Sequence, residues 1–289
     1  MLQETLALTQ REFRRWLRAW YAVIITFVTP LFWLALYGQS FNFANLFSPA
    51  RLPPQFQAFA SSFAEVTSQM IRAVFGTEQY FAYAATGMLA VFILFTTMFN
   101  GMSLVWDRRF GFLTKLLVAP IRRESIFLSR MISGVIRGLL QVTVVFAIAA
   151  LLGLQFAPGY FSSAATAIVN TLGVFVALAL LAVAFSSIFT AFASTVTQME
   201  TLFAAANLVN LPLMFTSNAL FPVSSMPDWL QTVAHLNPIT YSSNIVRGLI
   251  LTNATYEALA YDFLVLGLFA LGSAVLGVLI SRRALNRGI

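Results

Sequence analysis

The sequence predicts an all-α integral membrane protein with six transmembrane helices. Three observations carry that reading. The chain is 59% hydrophobic and only 9% charged, with a mean hydropathy of +0.82, whereas soluble domains carry about 25% charged residues. Its apolar residues gather in six runs, five near the ~20 residues that a bilayer core requires and the fourth longer. Lys and Arg fall in alternate connections between those runs, which is the charge asymmetry that orients a multi-pass protein.

Residues 1–19 read as an amphipathic helix lying in the headgroup layer. Arg11, Arg14, Arg15 and Arg18 recur at i, i+3, i+4, i+7 and share one face. Leu2, Leu6, Phe13, Trp16, Leu17 and Trp20 lie opposite, so the Arg side is expected to face lipid phosphate and water. A signal peptide is excluded by Glu4 and Glu12 and by the absence of a nearby small-x-small site. The first span is 20–38, with Pro30 expected to bend it. Residues 39–80 are mixed. Phe56, Phe59, Phe63, Val66 and Met70 predict an outer surface helix that begins after Pro53-Pro54.

The second span is 81–105. Next comes the polar stretch 106–130, with Arg108, Arg109, Lys115, Arg122, Arg123 and Arg130. Within it Phe110, Leu113, Leu116 and Leu117 keep helical spacing until Pro120, which has no N–H and disfavours helix at Ala119. The stretch is therefore a short amphipathic helix, open to two readings: an interfacial loop or a docking helix. The third span, 132–154, contains Arg137 and Gln141 on one face; Arg137 is expected to extend to the interface. The fourth span is 163–193 and the fifth 201–220, with Pro212 inside it. Glu200, Asn207, Asn210, Met214 and Ser217 form a polar stripe there with Phe203 beside it. Amides in hydrocarbon are costly, so the stripe should face protein or a cavity. Residues 221–260 carry short outer helices, with Asn237 a cap and Pro238 a first helical residue. The sixth span is 261–280.

With the N-terminus inside, the inner segments hold 4, 6, 0 and 3 basic residues, and the outer segments 2 (Arg51, Arg72), 0 and 1 (Arg247). This predicts a single transmembrane domain over 1–289, in the cell (plasma or inner) membrane, with both termini cytoplasmic. The net charge of +7 then points to anionic lipid rather than nucleic acid. The lack of cysteine excludes thiolate chemistry, and a lone histidine, His235, excludes a multi-histidine metal site. Lys115, the only lysine, follows Thr114, so no phosphate-cradling Gly-x-x-x-x-Gly-Lys-Ser/Thr loop exists. Neither Gly-x-Ser-x-Gly nor His-Glu-x-x-His occurs.

Two stretches resemble a known family. One is Asp107-Arg-Arg-Phe-Gly111-Phe-Leu-Thr-Lys-Leu-Leu-Val-Ala-Pro120-Ile-Arg122, followed by Ser129-Arg130. The other is Phe221-Pro222-Val-Ser-Ser-Met226-Pro227-Asp-Trp229-Leu230, then Asn237-Pro238-Ile-Thr240-Tyr241 and Arg247. Together they resemble the membrane subunits of ABC-2 type exporters, of the daunorubicin-resistance and nodulation type, with a type V exporter-like fold. The resemblance implies a second permease subunit, as homodimer or heterodimer, and a separate ABC ATPase subunit that alone carries ATP and Mg. It implies a coupling helix in which Asp107, Arg108, Gly111, Leu113, Leu117, Pro120 and Arg122 form or support the ATPase-docking surface. It implies an outer lid with Trp229, Asn237, Pro238 and Tyr241. The second and fifth spans would line the path, nominating Phe95, Thr96, Phe99, Phe203, Asn207, Asn210 and Met214. The cargo would be amphipathic, either a drug-like molecule or a lipid or glycolipid. A membrane enzyme acting on lipids and a non-transporting scaffold remain as alternatives.

Overall fold

A computed structural model of the chain describes residues 2–40, 55, 59–77 and 80–286. Arg51, Pro53, Pro54, Phe56 and Arg287, which entered the charge count and the outer-helix reading, lie outside the described residues. Among the described residues there are helices and no strands. In chain order they are α1 (Leu2–Arg18), α2 (Trp20–Ser40), α3 (Ala60–Phe75), α4 (Tyr80–Arg109), α5 (Phe112–Val118) and α6 (Arg123–Leu151). Then follow α7 (Ala164–Thr195), α8 (Met199–Phe215), α9 (Asp228–Leu236), α10 (Pro238–Leu251) and α11 (Tyr256–Asn286).

The helix ends follow local chemistry. Ser163 caps α7 by accepting the Thr166 N–H at 3.0 Å. Asn237 caps α10 by accepting the Ile239 N–H at 3.0 Å, with Pro238 in the first turn. α5 stops at Ala119, whose φ of −67° and ψ of 149° are the extended values that a following proline imposes. Gly111, at φ +70°, turns the chain between α4 and α5. Pro30 and Pro212 lie inside α2 and α8, as expected.

Among the described residues, four segments are long and apolar enough to cross a membrane: the run that contains α4, together with α6, α7 and α11. The α1–α2 pair meets the same test only as one unit bent by 79°, and α8 is apolar but 17 residues long. The polar 106–130 stretch is more helical than its composition suggests. α4 continues to Arg109, and α6 begins at Arg123 instead of near residue 132. Within those added turns Asp107, Arg108, Arg123, Glu124 and Arg130 each have a partner within the protein.

α7 is the central post, packed on α11, α4, α6 and α10. Small residues let the backbones close: a Cβ at Gly134 would meet Ser186 and Asn100, and one at Gly138 would meet Ile93. Gly87 of α4 lies against the Ala219 carbonyl and the Arg247 guanidinium with no room for a side chain. α4 is buried along nearly its whole length, whereas α11 leaves Leu264, Leu268, Leu271 and Leu276 exposed. An apolar exterior over a small-residue core is what a lipid-solvated helix bundle requires.

Candidate functional site

The end of the bundle that carries α5 is organised by an ion cluster. Glu12 of α1 and Asp107 of α4 are 1% and 3% exposed. Asp107 accepts from Arg15 at 2.5 Å, from Arg11 at 3.4 Å and from Arg130 of α6. Glu12 pairs with Arg11 at 2.6 Å, with Arg15 at 3.1 Å and with Arg130. Arg130 is 2% exposed and also donates to the Ser103 hydroxyl at 2.8 Å. Buried charges persist only when paired and hydrogen-bonded, and these pairs bind α1, α4 and α6 into one junction.

This corrects the expectation for α1. Its basic face divides: Arg14 and Arg18 are exposed, while Arg11 and Arg15 turn into the protein. The buried side of α1 is Thr5, Thr9 and Glu12, packed along α6, with Leu2, Leu6 and Leu17 facing out. Glu4 accepts the Ser125 hydroxyl at 2.9 Å and the Arg122 N–H at 3.2 Å, placing a carboxylate at the N-terminus of α6. The Ser125 bond first, and the Arg122 bond second, hold the Glu4 carboxyl below its ordinary value of 4.5. A depressed carboxyl stabilises the docked state above its unfolded value, and that contribution is lost as pH falls through the lowered folded value. Glu4→Gln is therefore expected to speed amide exchange along α1 at pH 7. At a pH below that lowered folded value, where protonation has removed the same interaction from the parent, the two chains should converge. Hydrogen-exchange mass spectrometry at both pH values reads this directly.

The junction carries α5. Arg11 lies 3.4 Å from the centroid of the Phe112 ring. Leu113 is 2% exposed, and Leu116 and Leu117 pack partly against the core. Arg108 donates to the carbonyls of Ser194, at 2.7 Å, and Val196, tying α4 to the α7–α8 connection. The seven residues nominated from the resemblance thus divide. Asp107, Arg108 and Leu113 are turned inward, Gly111 and Leu117 are half-buried, and Pro120 and Arg122 are exposed. The outward face adds Phe110, Lys115 and Val118, the last 84% exposed. The spacing held that signal: with Leu113, Leu116 and Leu117 inward, Thr114, Lys115 and Val118 fall opposite.

Beside the junction lies a cavity of about 970 Å³ between α2, α4 and α6. Its lining is aromatic at Trp33, Phe95, Phe99 and Trp106 and polar at Thr26, Arg137 and Gln141. Gln141 donates to the Thr26 carbonyl at 2.8 Å and is bonded to the Thr96 hydroxyl. Arg137 does not extend to the interface: it is 8% exposed, donates to the Glu12 carbonyl at 2.9 Å and lies 5.6 Å from the Trp16 ring. Phe95, Thr96 and Phe99 line this cavity, but the nominees on α8 do not. Asn210 and Met214 are buried, Asn210 reaching the Met98 sulfur at 2.7 Å, while Phe203 is 47% exposed. Asn207 is half-buried and donates to the Phe203 carbonyl at 3.0 Å. The two groups of nominees stand on different flanks of α4.

At the opposite end of the bundle, Asn237 donates to the Leu213 carbonyl at 2.7 Å and to Thr216 at 3.1 Å, joining α8 to α10. Tyr241 donates to the His235 carbonyl at 2.5 Å, Pro238 is buried, and Trp229 is 70% exposed. Arg247 is buried beneath them. It donates to the carbonyls of Ala219, at 2.7 Å, and Tyr83, at 3.2 and 3.3 Å, with its guanidinium 3.4 Å from the Tyr83 ring centroid. Among the described residues no group of His, Asp and Glu is placed to hold a metal.

Comparison with known proteins matches the chain to one family. The model of the ABC-2 type transporter family matches residues 3–251. A protein of Porphyra purpurea named as the transport permease ycf38 is 34% identical over 251 residues, covering 86% of this chain and 74% of its own. One of Mycobacterium tuberculosis, named as the doxorubicin resistance ABC transporter permease protein DrrC, is 30% identical over 151 residues, covering 52% and 51%. The daunorubicin resistance ABC transporter permease protein DrrB1 of Streptomyces coeruleorubidus is 22% identical over 173 residues, covering 60% and 58%. The chain belongs to the ABC-2 type transporter family, as a membrane permease.

Proposed function

We propose that this chain is the membrane-spanning subunit of an ATP-driven exporter, with α5 as its contact for a separate ATPase subunit. In this reading α2, α4, α6, α7, α8 and α11 are the six spans and both termini are cytoplasmic, in line with the basic residues concentrated in 1–19, 106–130 and the C-terminal tail. Two permease subunits pair and each binds an ATPase, because this chain has no nucleotide-phosphate loop of its own. The cargo is amphipathic, drug-like or lipid-like. Support comes from the aromatic and polar lining of the cavity and from relatives named for doxorubicin and daunorubicin resistance.

One observation carries the reading. α5 is a seven-residue helix whose inner side is fixed by Leu113 and by Arg11 on Phe112, and whose outer side presents Phe110, Lys115 and Val118. A helix this short has little stability of its own; here it is held rigidly and turned outward. Closure of the paired ATPases would then push on a junction that already unites α1, α4 and α6.

Val118→Asp tests this without disturbing the core, because Val118 is 84% exposed. Tagged chain purified from its host in mild detergent is expected to bring a soluble protein with a phosphate-binding loop. Val118→Asp should reduce that recovery at least tenfold, about 1.4 kcal/mol of binding. Repeated purification of intact chain with no ATPase would overturn the proposal.

A further inference from the structure

The charges clustered at this end of the bundle do not balance: two buried carboxylates meet four guanidiniums, of which Arg130 and Arg137 are buried and Arg11 and Arg15 are 33% and 40% exposed. Glu12 and Asp107 face Arg11, Arg15, Arg130 and Arg137. The two carboxylates are taken up by Arg11, Arg15 and Arg130. Arg137 receives only the Glu12 backbone carbonyl, and among the described residues no carboxylate lies within 4.0 Å of it. Its Nε–H is buried and has no hydrogen-bond partner. A guanidinium 8% exposed with no carboxylate in contact is costly in a bundle of this polarity. It lines the 970 Å³ cavity together with Trp33, Phe95 and Phe99. Along α4 the cavity runs from Phe92 to Trp106, roughly 21 Å at 1.5 Å per residue, long enough for an extended apolar body.

We propose that this cavity binds an amphiphile with an anionic headgroup, the headgroup on Arg137 and the apolar body between α2 and the aromatic face of α4. The charge selects the occupant. A neutral amphiphile would leave Arg137 uncompensated, and a cationic one would add to the excess. A phosphodiester or carboxylate brings the missing charge and accepts the free Nε–H, with Gln141 and Thr26 beside it as neutral polar neighbours. An anionic phospholipid drawn from the surrounding leaflet has this chemistry. That such a molecule is the transported cargo rests on the permease reading; that it binds does not.

The cavity holds Trp16, Trp33 and Trp106, three of the five tryptophans, so binding has an internal reporter. Trp20→Phe and Trp229→Phe remove the two outside it. The full chain in nanodiscs, without ATPase, is titrated with phosphatidylglycerol or phosphatidylcholine carrying brominated chains, which quench nearby indoles. Phosphatidylglycerol is expected to reach half-maximal quenching at a mole fraction about tenfold lower, equal to ~1.4 kcal/mol. The preference should persist in ~1 M salt, where the Debye length is about 3 Å and attraction to exposed Arg14 and Arg18 is screened.

Arg137→Gln should equalise the two lipids, and Arg137→Lys should restore part of the preference. Should Arg137→Gln fold poorly, Ala22→Phe fills the cavity while leaving the charge in place, and is expected to weaken quenching by both lipids. Equal half-saturation in the parent chain overturns the proposal. So does a preference that high salt abolishes, or one that survives both Arg137→Gln and Ala22→Phe. Because the titration contains no ATPase, a failure here leaves the docking result standing, and a failure of docking leaves the lipid result standing.

Discussion

Asp107→Asn is expected to destabilise the chain by about 3–5 kcal/mol, the range for removing one partner from a buried ion pair. Asp107 is 3% exposed and answers three guanidiniums. Its loss leaves Arg130, 2% exposed, on Glu12 alone, in competition with Arg11 and Arg15. The asparagine amide accepts a hydrogen bond but brings no charge, and its NH2 group points a donor at donors. Thermal unfolding in detergent, followed by size-exclusion fluorescence, measures the loss. Asp107→Asn combined with Arg130→Met should recover part of it, because the pair is then removed together and no buried cation is left alone. An unchanged midpoint in the single variant would mean that the cluster does not hold the end of the bundle that carries α5. The loss also reaches α5, which follows Asp107 within the next turn and is secured through Arg11; ATPase recovery should fall along with stability.

Arg247→Gln is the second large effect, expected at about 2–4 kcal/mol and confined to the opposite end. The Arg247 fork serves the carbonyls of Tyr83 and Ala219 at once, and its plane lies on the Tyr83 ring. A shorter amide cannot span both, and a buried carbonyl left without a donor costs about 1–3 kcal/mol; the lost ring contact adds about 1 to 2. The relief of no longer burying a cation offsets some of this, which keeps the net below the sum. Arg247→Lys keeps the charge and loses the fork, so it should recover less than half of the loss. Faster amide exchange in residues 216–222 with α6 unchanged would locate the damage where the contacts lie. Uniform acceleration through the bundle would contradict that local role.

Much of the helical order is legible in the chain because it depends on local signals. Pro120 ends α5, Asn237-Pro238 begins α10, Ser163 begins α7, and the apolar runs locate the long helices, though α6 begins nine residues before its run. What is not legible depends on distant partners. Glu12, Asp107 and Arg130 are widely separated in sequence, and nothing near any of them announces the others. Hence α1 reads as a helix with its Arg face toward water, while the fold turns Arg11 and Arg15 inward. For the same reason Arg137 reads as an interfacial side chain, although the Glu12 carbonyl and the Trp16 ring hold it inside. The path nominees share helix faces in projection, but packing decides which flank of α4 each face meets. Met98 meets Asn210, while Phe95 and Phe99 meet the cavity beside α2.

The most direct test of α5 as the docking helix uses the chain's lack of cysteine. A single Val118→Cys places a thiol at the exposed tip of α5, and Trp229→Cys places one on the exposed outer surface. Each is treated with a short bifunctional thiol–amine crosslinker in native membranes, and the products are identified by mass spectrometry. Val118→Cys is expected to yield a permease–ATPase adduct that forms or disappears with ATP, and Trp229→Cys none. An ATPase adduct from neither position, or from Trp229→Cys alone, would contradict the placement of α5 at the ATPase.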